Sequence, residues 1–236
     1  MLLLDPVVQA AEAPVRVLLK AARRIDGKSK TALSPGLVLV EGGRIVQVGT
    51  SIAAPPGTAV IDLGAATLLP GLIDCHDHLT GGPESSGYKS LGISVPREAL
   101  YGATNAATTL RAGFTSVRNV GANGYADVAL RDSIEDGGLP GPRLLVSGPP
   151  VGITGGHCDN NLLPSEYART EAGVANGPWE VRAKVREIVK YGADLIKVCA
   201  SGGVLSKGDQ PDTPQYTLEE LTATTRVNSP TWCSSG

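Results

Sequence analysis

Leu68-Leu69-Pro70-Gly71-Leu72-Ile73-Asp74-Cys75-His76-Asp77-His78-Leu79 sets two of the chain's three histidines at the end of an apolar run. A short apolar run bounded by Pro-Gly reads as a buried strand. Residues two apart on a strand point to the same face, so His76 and His78 can aim both imidazoles at one ion while Asp77 turns away. Neutral imidazole is the commonest nitrogen ligand for zinc and similar ions, and a strand end holds two of them in register. Two surface histidines following a buried strand would give the same His-x-His spelling, so the flanking sequence has to choose between them.

Upstream, Val15 to Leu19 is a short apolar strand, and 36–41 and 44–48 are strands joined by Gly42-Gly43, a two-residue hairpin signal. Thr58 to Leu63 is a further strand after the Pro55-Pro56-Gly57 turn. These predict a small antiparallel, β-sandwich-like domain over residues 1–66. Downstream the pattern alternates between strand and helix. Ser94 caps a predicted helix through Leu110 to the Gly113 stop, and 114–120 is a strand. A second helix spans about 125–134, with a third strand at 142–147. Trp179, Val181, Val185, Ile188 and Val189 recur at helical spacing, 194–199 reads as a fourth strand, and Thr217-Leu218-Glu219-Glu220 spells a capping box. Repeated strand–helix units imply a parallel sheet with crossover helices, that is, an α/β fold over 67–221 containing about four units of a (β/α)₈ TIM barrel. Polar groups at the C-terminal strand ends of such a barrel face one mouth.

Two more residues fall at that mouth. Lys197 is flanked by Ile196 and Val198, an unusual place for an ammonium, since burial without a partner forces the group towards neutrality. A neutral lysine is a nucleophile that can capture carbon dioxide as a carbamate, whereas snorkelling to solvent or pairing with Asp194 or Glu187 is the structural alternative. In Thr154-Gly155-Gly156-His157-Cys158-Asp159, after the third strand, His157 either hydrogen-bonds a substrate carbonyl or carboxylate or braces a glycine-rich loop. Ser201-Gly202-Gly203 could form a weak anion-binding nest of backbone amides.

The 68–79 run resembles the first barrel strand of the amidohydrolase superfamily, whose pattern is Pro-Gly-aliphatic-Asp-x-His-x-His. The segment 192–204, Gly-Ala-Asp-Leu-Ile-Lys-Val-Cys-Ala-Ser-Gly-Gly-Val, resembles the fourth strand of the branch related to imidazolonepropionase and Xaa-Pro dipeptidase. The resemblance implies zinc, in a pair, held by His76, His78 and an N-carboxylated Lys197 that also serves as the catalytic group, with His157 binding substrate. It implies hydrolysis of C–N bonds in dipeptide-like or N-acyl amino-acid amides by metal-activated water. The family also uses two later histidines and an aspartate, yet no histidine follows His157, and residues 222–236 look unrelated to the pattern before them. The resemblance, over about 15–221, therefore covers only part of a barrel that typically takes ~250 residues. The alternative expectation is a C-terminally truncated, inactive product or non-catalytic half-barrel.

The composition is globular, and by length the chain is one large domain or two small ones. With 236 residues at 42% hydrophobic the chain can bury a sizeable core, and a net charge of −2 without a basic stripe argues against nucleic-acid binding. Small-molecule amide or peptide substrates are the expected partners, and a homo-oligomer is compatible. The four cysteines show no Cys-x-x-Cys spacing and read as buried free thiols. The N-terminus carries no apolar stretch near the roughly 18 residues a membrane span needs. The expected location is cytoplasmic, or secreted or periplasmic if Met1-Leu2-Leu3-Leu4 and Ala11-Glu12-Ala13 are the remnant of a signal peptide.

Overall fold

The computed structural model describes residues 15–83, 85–167, 169–204, 206–208 and 210–225, so the signal-like N-terminus and positions 226–236 of the expected tail lie outside the described residues. The chain divides into two compact units, meeting in sequence at Pro70 and Gly71.

The first unit holds β1 (Arg16–Ala21), β2 (Arg23–Arg24), β3 (Gly36–Glu41), β4 (Arg44–Gly49), β5 (Ala59–Asp62) and β6 (Thr67–Leu68). Four of these form a sheet in the order β4-β3-β1-β5. Gly42 and Gly43 turn the β3–β4 hairpin at φ of +56° and +78°, the left-handed pair a tight hairpin turn requires. The β1–β3 and β3–β4 pairs are antiparallel, but β5 joins β1 in parallel, with Leu18 opposite Val60. The sheet is the antiparallel-rich layer expected, with this one parallel pair added. Leu18, Leu37 and Leu39 are buried together, with Ile52 packed on them.

The second unit runs β7 (Leu72–Asp77), α1 (Val95–Arg111), β8 (Phe114–Asn119), α2 (Ala126–Glu135), β9 (Arg143–Val146), α3 (Gly177–Lys190) and α4 (Leu218–Thr225). β7, β8 and β9 form a parallel sheet in sequence order, an incomplete barrel-like sheet. Alternation sorts its two faces. Val117, Leu144 and Val146 are buried in one core with Leu79, Ala106 and Leu130, under α1 and α2, whereas Arg118 and Leu145 are exposed on the other face. A second core gathers Val151, Val181, Val185 and Ile188 with Tyr216 and Ala223 from the α3 and α4 side. Trp179, an expected core position of α3, is instead 78% exposed and lies under the Arg182 guanidinium, 5.0 Å from its ring centre. Ser94 stands at the N-cap of α1 but its hydroxyl makes no capping hydrogen bond. The capping box at Thr217 forms as expected: Glu220 N donates to Thr217 Oγ1 at 3.3 Å, and Thr217 N donates to Glu220 Oε2 at 2.8 Å. α4 then continues through Thr225, across the boundary expected at 222.

The segment 194–199 differs from its reading as a fourth strand. It runs beside the third strand and its extension, but regular pairing reduces to one parallel bridge, Val151 with Val198. Val151 N donates to Lys197 O and Cys199 N to Val151 O, both at 2.8 Å, while Asp194 N donates to Val146 O. Between these two anchor points lie Pro149 and Pro150, which have no N–H to offer a ladder.

Candidate functional site

Three strand ends of the second unit are fixed by one buried polar network. Asn119, at the end of β8 and fully buried, accepts the Leu79 amide on Oδ1 at 2.7 Å. Its Nδ2 donates to Asp127 Oδ2 at 3.1 Å and to the Gly121 carbonyl at 3.2 Å. Asp127, on α2 and also fully buried, takes the Ser147 and Gly148 amides on the same Oδ2 at 3.2 and 3.0 Å, and the Val128 amide on Oδ1 at 2.9 Å. The segments after β7, β8 and β9 are thereby tied to one carboxylate. Burial raises the Asp127 pKa above the ordinary carboxylate value even though its hydrogen bonds pull the other way. Nothing in the sequence singled out Asn119 or Asp127. The available signal was a polar residue at the inward phase of an otherwise apolar strand, which must be satisfied to be tolerated there.

That network sets the position of His78, one residue before Leu79. His76 and His78 are brought together, with ring centres 5.5 Å apart and edge-on. Both adjacent carboxylates hold local backbone through one oxygen: Asp74 Oδ1 accepts the His76 amide at 2.9 Å and Asp77 Oδ1 the His78 amide at 2.7 Å. The His78 pKa is lowered, first by loss of hydration around the ring and further by the charges of His76 and Lys197, against a hydrogen bond from the ring to the Gly121 backbone. Gly121 has φ +150°, and a Cβ there would stand 3.2 Å from His78 Cε1, so the ring rests on bare backbone.

Lys197 is half-buried, and its pKa is lowered by desolvation and then by the Arg118 guanidinium. Arg118, on the open face of β8, donates Nε to the Cys75 carbonyl at 2.7 Å. The burial of its strand neighbours Val117 and Asn119 puts Arg118 on the opposite, open face, a placement the alternation of β8 could have signalled.

His157 occupies a different place. It lines a cleft of about 290 Å³ with Ser85, Ser90, Asn161, Glu171 and Lys207, a cleft that His76, His78 and Lys197 do not line. Its Nδ1 is 2.8 Å from Ser206 Oγ, its amide donates to Gln215 Oε1 at 3.1 Å, and a Cβ on Gly203 would run into its ring. Gly202 N donates to Thr213 O, so the 201–203 nest has already lost one of its amides.

The expectation of zinc is overturned. Among the described residues no group of three or more His, Cys, Asp and Glu side chains could hold a metal ion. His76 and His78 supply two ligands where a catalytic zinc needs three from the protein, and no third joins them among the described residues. Lys197 brings a cation, not a ligand, to this neighbourhood, and its expected carbamate loses the metal pair it was to bridge.

The Amidohydrolase family profile matches residues 67–228. The chain belongs to the amidohydrolase family. It is similar to ochratoxinase of Aspergillus niger, 36% identical over 174 residues, which cover 65% of this chain and 35% of that protein. Among solved structures, a Xaa-Pro dipeptidase with bound methionine in the active site superimposes with a TM-score of 0.79 at 34% identity, covering 89% of this chain and 53% of that one. The A. niger ochratoxinase structure superimposes with a TM-score of 0.77 at 27% identity, over 90% of this chain and 53% of the other. The chain thus spans about half the length of these amidohydrolase structures, and the likeness includes both the β-rich region and the partial barrel. Among the described residues no helix is long and apolar enough to cross a membrane.

Proposed function

We propose that these 236 residues form the substrate-facing, non-catalytic part of an amidohydrolase whose whole acts on the C–N amide bond of dipeptide-like or N-acyl amino-acid substrates. The observation that carries the reading is the donor set: two imidazoles and a lysine converge near the β7 end, and no third metal ligand joins them among the described residues. By themselves these groups activate no water on a metal. What they can do is bind. The His157 ring and the asparagine and serine side chains of its cleft offer neutral hydrogen bonds to an amide or carboxylate, and Lys207 offers a cation to the carboxylate end of an amino-acid moiety. Arg118 on the open face of β8, with Lys197 within its electrostatic reach, adds two cations near the β7 end. The substrate class is supported by the similarity to a Xaa-Pro dipeptidase and to ochratoxinase, each over only part of that protein. Of the compartments left open by the sequence, an oxidising one, secreted or periplasmic, fits a disulfide between Cys158 and Cys199 better than a reducing cytoplasm.

Calorimetric titration with Xaa-Pro dipeptides and N-acyl amino acids tests the binding half of this reading. Saturable binding by the chain, weakened about fivefold to tenfold by His157→Ala, is the expected result, since one hydrogen bond to a ligand carries about 1 kcal/mol. Binding that is absent, or that is indifferent to His157, contradicts it.

A further inference from the structure

The four cysteines read as free thiols in the sequence, but Cys158 and Cys199 form a disulfide, with Cα atoms 6.2 Å apart and a sequence separation of 41. The two positions are not arbitrary. Cys158 follows His157 directly in the cleft loop, and Cys199 lies two residues beyond Lys197 in the segment that pairs with Val151. Cys199 is buried, whereas Cys158 is half-buried and seated over Gly152, where a Cβ would come within 2.9 Å of the Cys158 Cβ. That close approach is possible because residue 152 has no side chain. Two hydrogen bonds among the described residues also tie the loop to the 199–216 segment. His157 N to Gln215 and the His157 ring to Ser206 are both solvent-exposed hydrogen bonds, which water can replace. Within the loop, Asp159 Oδ2 accepts the Gly155 amide and Asn161 Nδ2 donates to the Gly155 carbonyl, which shape the loop without attaching it to the strand segment.

We infer that the Cys158–Cys199 pair is a thiol–disulfide exchange site that clamps the His157 loop to the segment carrying Lys197, so that the redox state of this pair sets how firmly His157 is held in its cleft. The closing step is ordinary exchange. The thiolate of one cysteine attacks a small-molecule disulfide of the glutathione type and expels one thiolate. The second cysteine then attacks the mixed disulfide, forming the protein S–S bond and releasing the second small thiol. Two protein thiols are oxidised, one small disulfide is reduced to two thiols, and the two protein protons leave with them. A dithiol reductant reverses the sequence. Cys158 and Cys199 act in this as positioning residues, through His157. The inference does not depend on substrate identity or on hydrolysis, because its readout is the loop itself.

The test uses the 236-residue chain equilibrated with oxidised glutathione and then with a phosphine reductant. Peptide mapping of the oxidised protein should recover residues 158 and 199 linked. Reduction should raise amide hydrogen exchange at 153–161 by about tenfold or more, while the buried amides of α1 and α2 keep their protection. The His157 imidazole proton signals should broaden or shift on reduction, those of His76 and His78 should stay in place, and reoxidation should restore the starting spectrum. A Cys158→Ser variant should match the reduced protein with or without reductant. Full alkylation of both thiols in the oxidised sample overturns the inference, as does a linked pair whose reduction leaves loop exchange and the His157 signals unchanged. A rise in exchange spread evenly through the α1 and α2 core overturns it too, because a loop clamp does not melt the sheet.

Discussion

Replacing Asp127 by alanine removes the single carboxylate on which the segments after β7, β8 and β9 converge. The Ser147 and Gly148 amides lose their side-chain acceptor inside the core, and Asn119 Nδ2 keeps only the Gly121 carbonyl. Each orphaned buried donor costs about 1–3 kcal/mol, and truncating one partner of a buried charged network typically costs 3–5 kcal/mol in all, so about 4 kcal/mol is expected. Against a total stability of about 5–15 kcal/mol that is a large loss. In urea, with a slope of about 2 kcal/mol per molar, the unfolding midpoint followed by far-ultraviolet circular dichroism should fall by about 2 M. Asp127→Asn keeps the shape and should cost less, and its pH dependence separates charge from geometry. Burial raises the Asp127 pKa in the folded state, so the folded protein holds this proton at pH values where the unfolded chain has released it. Stability from this group is therefore complete below the unfolded value of 3.8 and is lost as pH rises through the raised folded value. The asparagine variant lacks that loss, so its deficit relative to the parent should shrink from pH 4 to pH 7. A midpoint shift under about 0.5 M for Asp127→Ala, or a deficit that grows with pH for Asp127→Asn, would refute the reasoning.

Two further outcomes follow from particular contacts. Glu220 accepts the Thr217 amide and hydroxyl and reaches across to the Gly177 amide at the start of α3 at 2.7 Å, and its pKa is lowered chiefly by the Thr217 backbone bond. Stability from a depressed carboxylate is present above its unfolded value of 4.5 and is lost as pH falls through the folded one, so acidification should unfasten α4 from α3. Glu220→Gln should abolish that pH dependence and cost about 1 kcal/mol at neutral pH, measured by amide exchange in 217–225. At Gly203, substitution by alanine puts a Cβ into the exposed His157 ring, which can swing aside, so the His157 imidazole signals should shift while unfolding stability in urea changes by less than about 0.5 kcal/mol. Unchanged His157 signals would contradict the placement of that ring.

The parts of this fold that could be read in the sequence are those dictated by local pattern. The Gly42-Gly43 hairpin, the alternation in β8 and β9, the apolar stripe of α3 at Val181, Val185 and Ile188, and the capping box of α4 each follow from one period or one turn. What was missed depends on residues distant in the chain. Residues 194–199 have the composition of a strand, but their pairing depends on a neighbour interrupted by Pro149 and Pro150. The partnership of Cys158 with Cys199 cannot be deduced from spacing, because four cysteines allow several pairings and none at all. The mouth was legible only in part. His76 and His78 do meet, and Lys197 lies within electrostatic reach of His78, but His157 faces a separate cleft. A His-x-His pair announces two ligands, and a metal site needs a third from elsewhere, which the strand itself could not reveal.

The most direct test of the proposed function is steady-state turnover of Xaa-Pro dipeptides and N-acyl amino-acid amides by the purified 236-residue chain, with and without added divalent metal, beside a His76→Ala, His78→Ala double variant. The account predicts rates equal to the buffer background for both proteins under every condition. Metal-dependent hydrolysis by the parent chain that disappears in the double variant would contradict it.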